Sequence, residues 1–300
     1  MYFRSKRNLI KKIKEGAIET TLFLSAVSSV FITISIVVVL SYESFGFFKE
    51  IPIIEFLTGT QWTPLFAEPK FGILPLVAGT LLITFIALMV ALPLGLTGAI
   101  YLSEYAPHRF RETVKPILEL LEAVPTVVYG YFALLFLTPI LQKFIPDLPG
   151  FNALAPGIII GIMIIPYVSS VSEDAMKAVP MHIREGSYAM GATRFQTAIK
   201  VIIPSAFSGI AAAFIMGISR AIGETMVVAI AAGMMPNFTA NPLEPIQTLT
   251  SYIVQVSLGD VPHGTIEYKT IFVAGITLFL MTLILNIIGF WLRKRIREAY

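Results

Sequence analysis

Six apolar stretches dominate the sequence, and each is long enough to cross a lipid bilayer as a helix. The hydrocarbon core of a bilayer is about 30 Å thick, which about 20 helical residues span. Within lipid, backbone N–H and C=O groups must bond inside the segment, so such runs form helices. We therefore predict an all-α integral membrane protein with six transmembrane helices. The six stretches are residues 17–41, 73–100, 117–141, 153–172, 202–235 and 271–292.

The composition excludes several other classes of protein. Hydrophobic residues make up 56% and charged residues only 14%, whereas a soluble chain carries about 25% charged residues. This excludes a disordered chain, a nucleic-acid-binding domain and a typical soluble enzyme. The chain has no cysteine, and its three histidines (His108, His182 and His263) lie far apart in connecting segments. We predict no metal centre and no cofactor in this chain.

Lysine and arginine are distributed unevenly between the two ends of the predicted spans. Seventeen of the 22 lie in residues 1–16, 101–116, 173–200 and 293–300, and four lie on the opposite side. Because positive residues mark cytoplasmic loops, both termini are predicted to be cytoplasmic. The basic N-terminus 1–16 precedes a span that exceeds the 7–15 apolar residues of a secretory signal. We interpret residues 17–41 as an uncleaved signal anchor.

The segments on the predicted outer side contain apolar residues that must be shielded from water. Residues 42–72 are interpreted as an external or interfacial segment, with Trp62 in the aromatic belt of the membrane and Trp291 in the belt on the other side. Residues 245–258 have apolar side chains at helical spacing. They predict a short amphipathic helix that either docks a partner or packs on the protein's own outer rim.

Arg220 and Glu224 stand near the middle of the apolar stretch 202–235. A charged group at the bilayer centre costs about 2.5–3.5 kcal/mol on insertion scales, so such groups are rare and usually face a polar pathway. Four residues apart on one helix, they could pair with each other. A guanidinium also suits an oxyanion. We predict that both residues line the substrate pathway; an ion pair that only fixes packing is the alternative. Beside them, small residues at every fourth position predict a close helix–helix or subunit contact: Gly209, Ala213, Gly217 and Ala221.

The long cytoplasmic connection 173–200 is predicted to contain an exposed helix. Pro180 suits a first helical position, and Ile183, Ser187 and Met190 follow at helical spacing. Within this segment and the next span, residues 185–204 read Glu-Gly-Ser-Tyr-Ala-Met-Gly, nine further residues, and Val-Ile-Ile-Pro.

This pattern resembles the E-A-A-x-x-x-G-x9-I-x-L-P signature of bacterial ABC-importer permeases. Glu185, Gly191 and Pro204 match it, while Gly186 and Ser187 stand where the signature has two alanines. The resemblance implies the type I ABC-importer permease fold, with a core of five spans over residues 73–292. It also implies that residues 180–191 form the coupling helix that sits in a cleft of the ATPase subunit.

Further segments resemble the C-type subunit of phosphate-specific ABC permeases. They are residues 57–64, 79–84, 102–107, 124–130 and 219–226. The resemblance implies a permease subunit of the bacterial inner membrane that imports inorganic phosphate and forms half of the pathway. The implied partners are a related A-type permease, two copies of a cytoplasmic ATPase that bind ATP and Mg, and an external phosphate-binding protein. This chain itself has no Gly-x-x-x-x-Gly-Lys-Ser/Thr loop to bind ATP.

Two other functions remain as alternatives. The first keeps the family and changes the cargo to sulfate or molybdate. The second is an ion-coupled secondary transporter that uses Arg220 and Glu224 without an ATPase; such carriers often show two similar halves with broken helices. A purely structural scaffold would leave the two intramembrane charges unexplained.

Overall fold

The computed structural model describes residues 2–296, with the backbone alone for residues 2–13, 292, 293, 295 and 296. The predicted tail 293–300 therefore lies partly outside the described residues. The described chain is helical. Its helices are α1 Tyr2–Phe48, α2 Ile53–Thr58, α3 Leu74–Ile100, α4 His108–Glu122, α5 Thr126–Phe132, α6 Thr138–Phe144, α7 Leu154–Lys177, α8 Met181–Ala189, α9 Arg194–Thr197, α10 Ile203–Ser205, α11 Phe207–Ile222, α12 Met226–Ala231, α13 Leu249–Ser257 and α14 Ile266–Ile296.

Five continuous helical segments are long and apolar enough to cross a membrane. They are Lys14–Phe48, Leu74–Tyr105, Thr126–Phe144, Leu154–Lys177 and Ile266–Trp291. A sixth candidate is a bent pair, Arg194–Ser205 and Phe207–Ile222, whose axes differ by 73°. The predicted all-helical membrane fold is confirmed. Following the chain through these spans, residues 101–125 and 173–206 form what we call the basic end, and residues 49–73 and 232–265 form the opposite end.

The third span begins later than the apolar stretch 117–141 indicated. It starts at Thr126, because Pro125 takes an extended conformation (φ −58°, ψ 134°) and separates it from α4. Proline disfavours the helical conformation in the residue before it and lacks an N–H. Residues 117–122 belong instead to α4, a separate helix at the basic end with no buried side chain.

The prediction of one continuous helix over 202–235 is wrong. Helix α11 ends at Ile222, and α12 begins at Met226 after a short break. In this break, a Glu224 carboxylate oxygen accepts hydrogen bonds from the N–H groups of Met226 and Val227, at 3.1 and 3.3 Å. The carboxylate satisfies free donors at the start of α12. Arg220 therefore lies on α11, whereas Glu224 lies in the break that follows it.

Three five-residue π-helical segments interrupt the α-helices, and each lies just before a proline. They are Tyr101–Tyr105 before Pro107, Ala133–Leu137 before Pro139, and Ala198–Ile202 before Pro204. A proline donates no backbone hydrogen bond, so the regular α pattern is broken there and the preceding backbone takes a different pattern. The three prolines thus shape the ends and bends of the spans.

Helices α3, α7 and α11 form the central packing layer. The backbone of Gly95 on α3 faces Val168 on α7, and Gly161 on α7 faces Val90 on α3, each close enough that a Cβ would clash. Gly217 on α11 faces Val168 and Ile164 of α7. The predicted close approach along the small-residue stripe is confirmed, and within this chain its partner is α7. Small residues let membrane helices approach closely.

The opposite end has a packed aromatic core of its own. Trp62 is buried there (1% exposed), and its ring lies edge-on to Tyr252 with centroids 5.1 Å apart. Its predicted place in an aromatic belt is therefore wrong, since neighbouring aromatic side chains cover it. The helix predicted within 245–258 is α13; its Leu249, Tyr252 and Val256 are buried, so it packs on the protein's own rim.

Candidate functional site

Arg220 lies in the last turn of α11, where α4, α7 and α11 converge. Its Nη1 is 3.9 Å from an oxygen of Glu122, the last residue of α4. The guanidinium carbon lies 5.9 Å from the ring centroid of Tyr167 on α7, within range of a cation–π contact. The side chains of Arg220 and Glu122 are 31% and 27% exposed, so the pair borders open space.

The predicted pair between Arg220 and Glu224 is not formed in this structure. Glu224 is buried and directs its carboxylate to the N–H groups that begin α12. Its backbone carbonyl accepts a hydrogen bond of 2.7 Å from the hydroxyl of Thr250 on α13. Glu224 thus fixes the break after α11 and ties it to the opposite end. The partner that Arg220 has instead, Glu122, is remote in sequence, and no helical spacing relates the two.

The contacts of Arg220 leave its donors free for another group. A guanidinium has five N–H donors, and the 3.9 Å to Glu122 is longer than a hydrogen bond. Within the described residues, no side-chain hydrogen bond of Arg220 supplements this ion pair. A group with several oxygens could bind this fork more closely than Glu122 does.

Helix α8 presents the residues of the predicted coupling signature at the surface of the basic end. Glu185 and Gly186 are exposed, and a Cβ at Gly186 would meet open space. Ser187 faces inward, with its hydroxyl 2.9 Å from that of Thr197 on α9. None of the side chains of α8 is buried. Met181 on α8 and Met190, which follows it, are 61% and 88% exposed.

Gly191 ends α8 with a specific backbone geometry. Its φ is +81°, in the left-handed region that favours glycine. The N–H of Gly191 donates to the carbonyl of Tyr188 at 2.9 Å, and the N–H of Ala192 donates to that of Ser187 at 3.2 Å. These two bonds are those of a Schellman motif. The glycine of the signature therefore has a physical reason here: it closes the helix.

Arg184 anchors α8 to the spans, a role that the sequence analysis did not identify. Its guanidinium donates to the carbonyl of Met176 (2.8 Å) in the last turn of α7 and to that of Val179 (2.6 Å) just beyond the helix. It also donates to the carboxylate of Glu104 at 3.3 Å. A cation at the last carbonyls of a helix complements its dipole. An arginine within a run of exposed polar residues gives no signal of such a role.

Pro204 lies at the bend that joins α8 and α9 to the central layer. It follows the π-helical segment Ala198–Ile202 and stands in α10, just before the 73° change of direction into α11. Because a proline removes a backbone donor and favours a kink, this signature residue shapes the bent pair.

A second charge cluster links α4 to α7 at the basic end. Glu173 is completely buried and contacts Lys115 at 3.1 Å, Arg111 at 3.9 Å, and Lys177. Lys115 also contacts Asp174 at 2.5 Å. Partial burial of Lys115 lowers its pKa, but hydrogen bonds and attraction to Asp174 and Glu173 outweigh it and hold the pKa above its ordinary value. These partners lie on helices far apart in sequence, which is why the sequence did not reveal the cluster.

A cleft of about 620 Å³ opens beside α8. It separates α8 from the segment that follows α3, and carboxylate, basic and aromatic side chains line it. They include Glu104, Tyr105, Lys177, Arg184, Tyr188 and Arg194. Among the residues with described side chains, no group of three or more metal-ligating side chains could hold an ion.

The spans, the bent pair and the exposed α8 define a multi-pass membrane protein of the transport-permease class. Residues 91–298 match the family described as "Binding-protein-dependent transport system inner membrane component". The chain belongs to this family and is an ABC-importer permease subunit, which is not itself catalytic. Permeases of this kind work with a separate ATPase and a binding protein.

Relatives of known sequence cover most of the chain. It is 37% identical to "Probable ABC transporter permease protein YqgH" of Bacillus subtilis, over 81% of this chain and 78% of the relative. It is 32% identical to "Probable phosphate transport system permease protein PstC" of Methanocaldococcus jannaschii, over 97% of both chains. It is 30% identical to "Phosphate transport system permease protein PstC" of Mesorhizobium japonicum, over 85% and 80%.

Solved structures share the fold at low sequence identity. A bacterial ABC transporter involved in the import of the acidic polysaccharide alginate matches with a TM-score of 0.64 and 17% identity, over 97% of this chain and all of the other. The MetNI methionine ABC transporter in an inward-facing conformation matches with a TM-score of 0.55 and 18% identity, over 76% and 95%. These matches establish the type I importer-permease fold.

Proposed function

We propose that this chain is the C-type permease subunit of an ATP-driven importer of inorganic phosphate. In this proposal it forms half of the translocation pathway, and a related A-type permease forms the other half. Two copies of a cytoplasmic ATPase and an external phosphate-binding protein complete the importer. Relatives named as phosphate permeases, at about 30% identity over most of the chain, support the choice of cargo.

The observation that carries the proposal is the incompletely satisfied guanidinium of Arg220. A charged fork in a membrane protein is costly unless partnered, and its carboxylate neighbour lies 3.9 Å away. Phosphate offers several oxygens to such a fork. In this assignment Arg220 contacts the anion within the pathway. Glu224, which holds the break after α11, acts as a gate by fixing where that helix ends.

Helix α8 is proposed to couple the permease to the ATPase from the cytoplasmic side. Its exposed residues Glu185 and Gly186 would enter a cleft of the ATPase, and Ser187 would hold α8 against α9. Gly191 and Pro204 would set the end of α8 and the bend behind it. The basic end would be cytoplasmic, as the distribution of positive residues predicts, with both termini on that side of a bacterial plasma membrane.

The test is uptake of radiolabelled phosphate into proteoliposomes that contain both permeases and the ATPase. With the binding protein outside and ATP inside, we expect phosphate to accumulate; without ATP or with an inactive ATPase, it should not. Accumulation driven by a proton or sodium gradient without the ATPase would contradict the proposal. Membership of the ABC-importer family already argues against that ion-coupled mechanism.

Another oxyanion is the second candidate cargo. The B. subtilis relative is named only as an ABC transporter permease, and an arginine fork binds tetrahedral anions of similar shape. The same proteoliposomes should be tested with labelled sulfate and molybdate. Uptake of either in preference to phosphate would reassign the cargo and leave the importer mechanism unchanged.

A further inference from the structure

The ion pair between Glu122 and Arg220 places a carboxylate of the chain itself beside the guanidinium proposed to contact the cargo. The 3.9 Å between their nearest atoms allows attraction without a hydrogen bond. Both side chains are partly exposed, so an anion could reach the same guanidinium. An oxyanion and the Glu122 carboxylate carry the same sign of charge and use the same donors. They therefore compete for Arg220.

The position of Glu122 depends on α4, because Glu122 is its last residue. The neighbouring carbonyl of Leu121 accepts a hydrogen bond of 2.9 Å from the hydroxyl of Tyr129 on α5. This contact holds the end of α4 against the span that follows it. The carboxylate is thus positioned by a helix rather than by a flexible loop.

The first half of α4 is tied to the end of α7. Arg111 and Lys115 contact the buried Glu173, and Lys115 also contacts Asp174. A buried carboxylate with several cations resists separation from them, because breaking such contacts leaves a charge without a partner. Helix α4 should therefore move together with the end of α7.

The end of α7 is in turn tied to α8. Arg184 of α8 donates to the carbonyls of Met176 and Val179. Polar contacts therefore join α8 to the end of α7, and the end of α7 to α4, whose last residue Glu122 contacts Arg220. These contacts connect α8 to the ion pair between the last two residues.

We propose that Glu122 is an internal competitor of the transported anion at Arg220, and that α4 moves its carboxylate toward or away from the guanidinium as α8 moves. This inference rests on the proposed role of Arg220 in the pathway. With the carboxylate near, the anion is released; with it withdrawn, the guanidinium accepts the anion. Neither the sequence spacing nor the signature motif points to Glu122 in this role.

The test measures binding of inorganic phosphate to the purified permease–ATPase complex in nanodiscs, without the binding protein, by equilibrium dialysis. Glu122→Gln removes the competing charge and should lower the Kd by about fivefold, since partly exposed ion pairs are of modest strength. Glu122→Asp withdraws the carboxylate by one methylene and should give an intermediate Kd. In uptake assays, Glu122→Gln should lower kcat, because the anion leaves more slowly.

Glu119 supplies the matched control, since it lies on the exposed side of the same helix and has no ion pair in the part of the chain described. Glu119→Gln and Glu119→Asp should leave both the Kd and the uptake rate unchanged. If Glu122→Gln does not assemble with the ATPase, the comparison of Glu122→Asp with Glu119→Asp carries the test. The inference is overturned if Glu122 variants that assemble normally bind phosphate as the Glu119 variants do.

Arg220→Gln separates failure of this inference from failure of the proposed function. The competition predicts that the Kd for phosphate rises from Glu122→Gln through Glu122→Asp to the wild type. If phosphate binding requires Arg220 but the Kd does not rise in this order, the competition is wrong and the pathway assignment stands. If the Kd for sulfate or molybdate rises in that order and phosphate does not bind, the competition is supported and the proposed cargo is wrong. If Arg220→Gln leaves phosphate binding unchanged, both are wrong.

Discussion

At the scale of single residues, Arg220 illustrates how a membrane protein accommodates a charge. Its cost in an apolar helix could be predicted from the sequence, and so could the need for a partner. The identity of that partner could not. Glu224 lies at the helical spacing of a salt bridge, but the chain breaks at Gly223 and the carboxylate turns to backbone N–H groups. Glu122 takes the position instead, through packing of a helix remote in sequence.

Replacement of Arg220 by glutamine is expected to abolish uptake, because a neutral amide cannot attract the anion. Arg220→Lys should retain a minor part of the activity, since an ammonium keeps the charge but loses the planar fork. The measurement is labelled phosphate uptake together with membrane abundance, with Arg109→Gln as an exposed control. A double variant Arg220→Gln/Glu224→Gln that transports normally would show that these charges serve packing alone.

Gly191 is expected to tolerate only residues that adopt a left-handed backbone. Its φ of +81° should make Gly191→Val destabilise the end of α8 by about 1–2 kcal/mol, while Gly191→Asn should be milder. Gly191→Val should therefore weaken co-purification with the ATPase. Gly264 has a similar φ of +86° and open space around it at the opposite end. Gly264→Val is thus the matched control, and equal loss of ATPase binding in both variants would contradict the assignment.

At the scale of helices, hydropathy predicted where the chain crosses the membrane better than where each helix begins and ends. The stretch 117–141 merged part of α4 with the third span, because Ile117, Leu120 and Leu121 are apolar although they lie on an exposed helix. Pro125 was the available signal for the boundary. At the break 223–225, the Glu224 side chain accepts hydrogen bonds from the backbone. Hydropathy averaged along the sequence contains no information on such a contact.

The charge cluster between α4 and α7 gives a pH dependence that can be measured. The pKa of Lys115 is raised in the folded protein, so its stabilising contribution is fully present below the ordinary lysine value of about 10.4. It is lost as the pH rises through the higher folded value. We expect thermal stability of the purified complex to decline more steeply above about pH 10.4 in the wild type than in Lys115→Met. Lys143→Met, at an exposed site, should decline as the wild type does; identical profiles for all three would exclude a role of this cluster in stability.

At the scale of the whole molecule, the two ends have different physical characters. The basic end carries the exposed helix α8, and ion pairs and hydrogen bonds join its helices beside a small buried apolar cluster that includes Met176 and Ile202. The opposite end is closed by an aromatic core around Trp62 and Tyr252. A surface that must dock and move needs exposed, adaptable side chains, whereas a packed aromatic cluster resists deformation. This contrast agrees with the proposal that the ATPase binds at the basic end, which the sequence suggested through the signature in residues 185–204 and through the distribution of positive residues.

The orientation can be tested with single cysteines, because the chain has none of its own. Gly186 on α8 is exposed and has room for a side chain, and Leu258 at the opposite end is 84% exposed. A membrane-impermeant maleimide should label Leu258→Cys in intact cells and Gly186→Cys only in inverted vesicles, since the distribution of positive residues predicts a cytoplasmic basic end. Addition of the ATPase should then protect Gly186→Cys from labelling and leave the labelling of Leu258→Cys unchanged. Labelling of Gly186→Cys from outside the cell would reverse the orientation and remove α8 from the reach of any cytoplasmic ATPase.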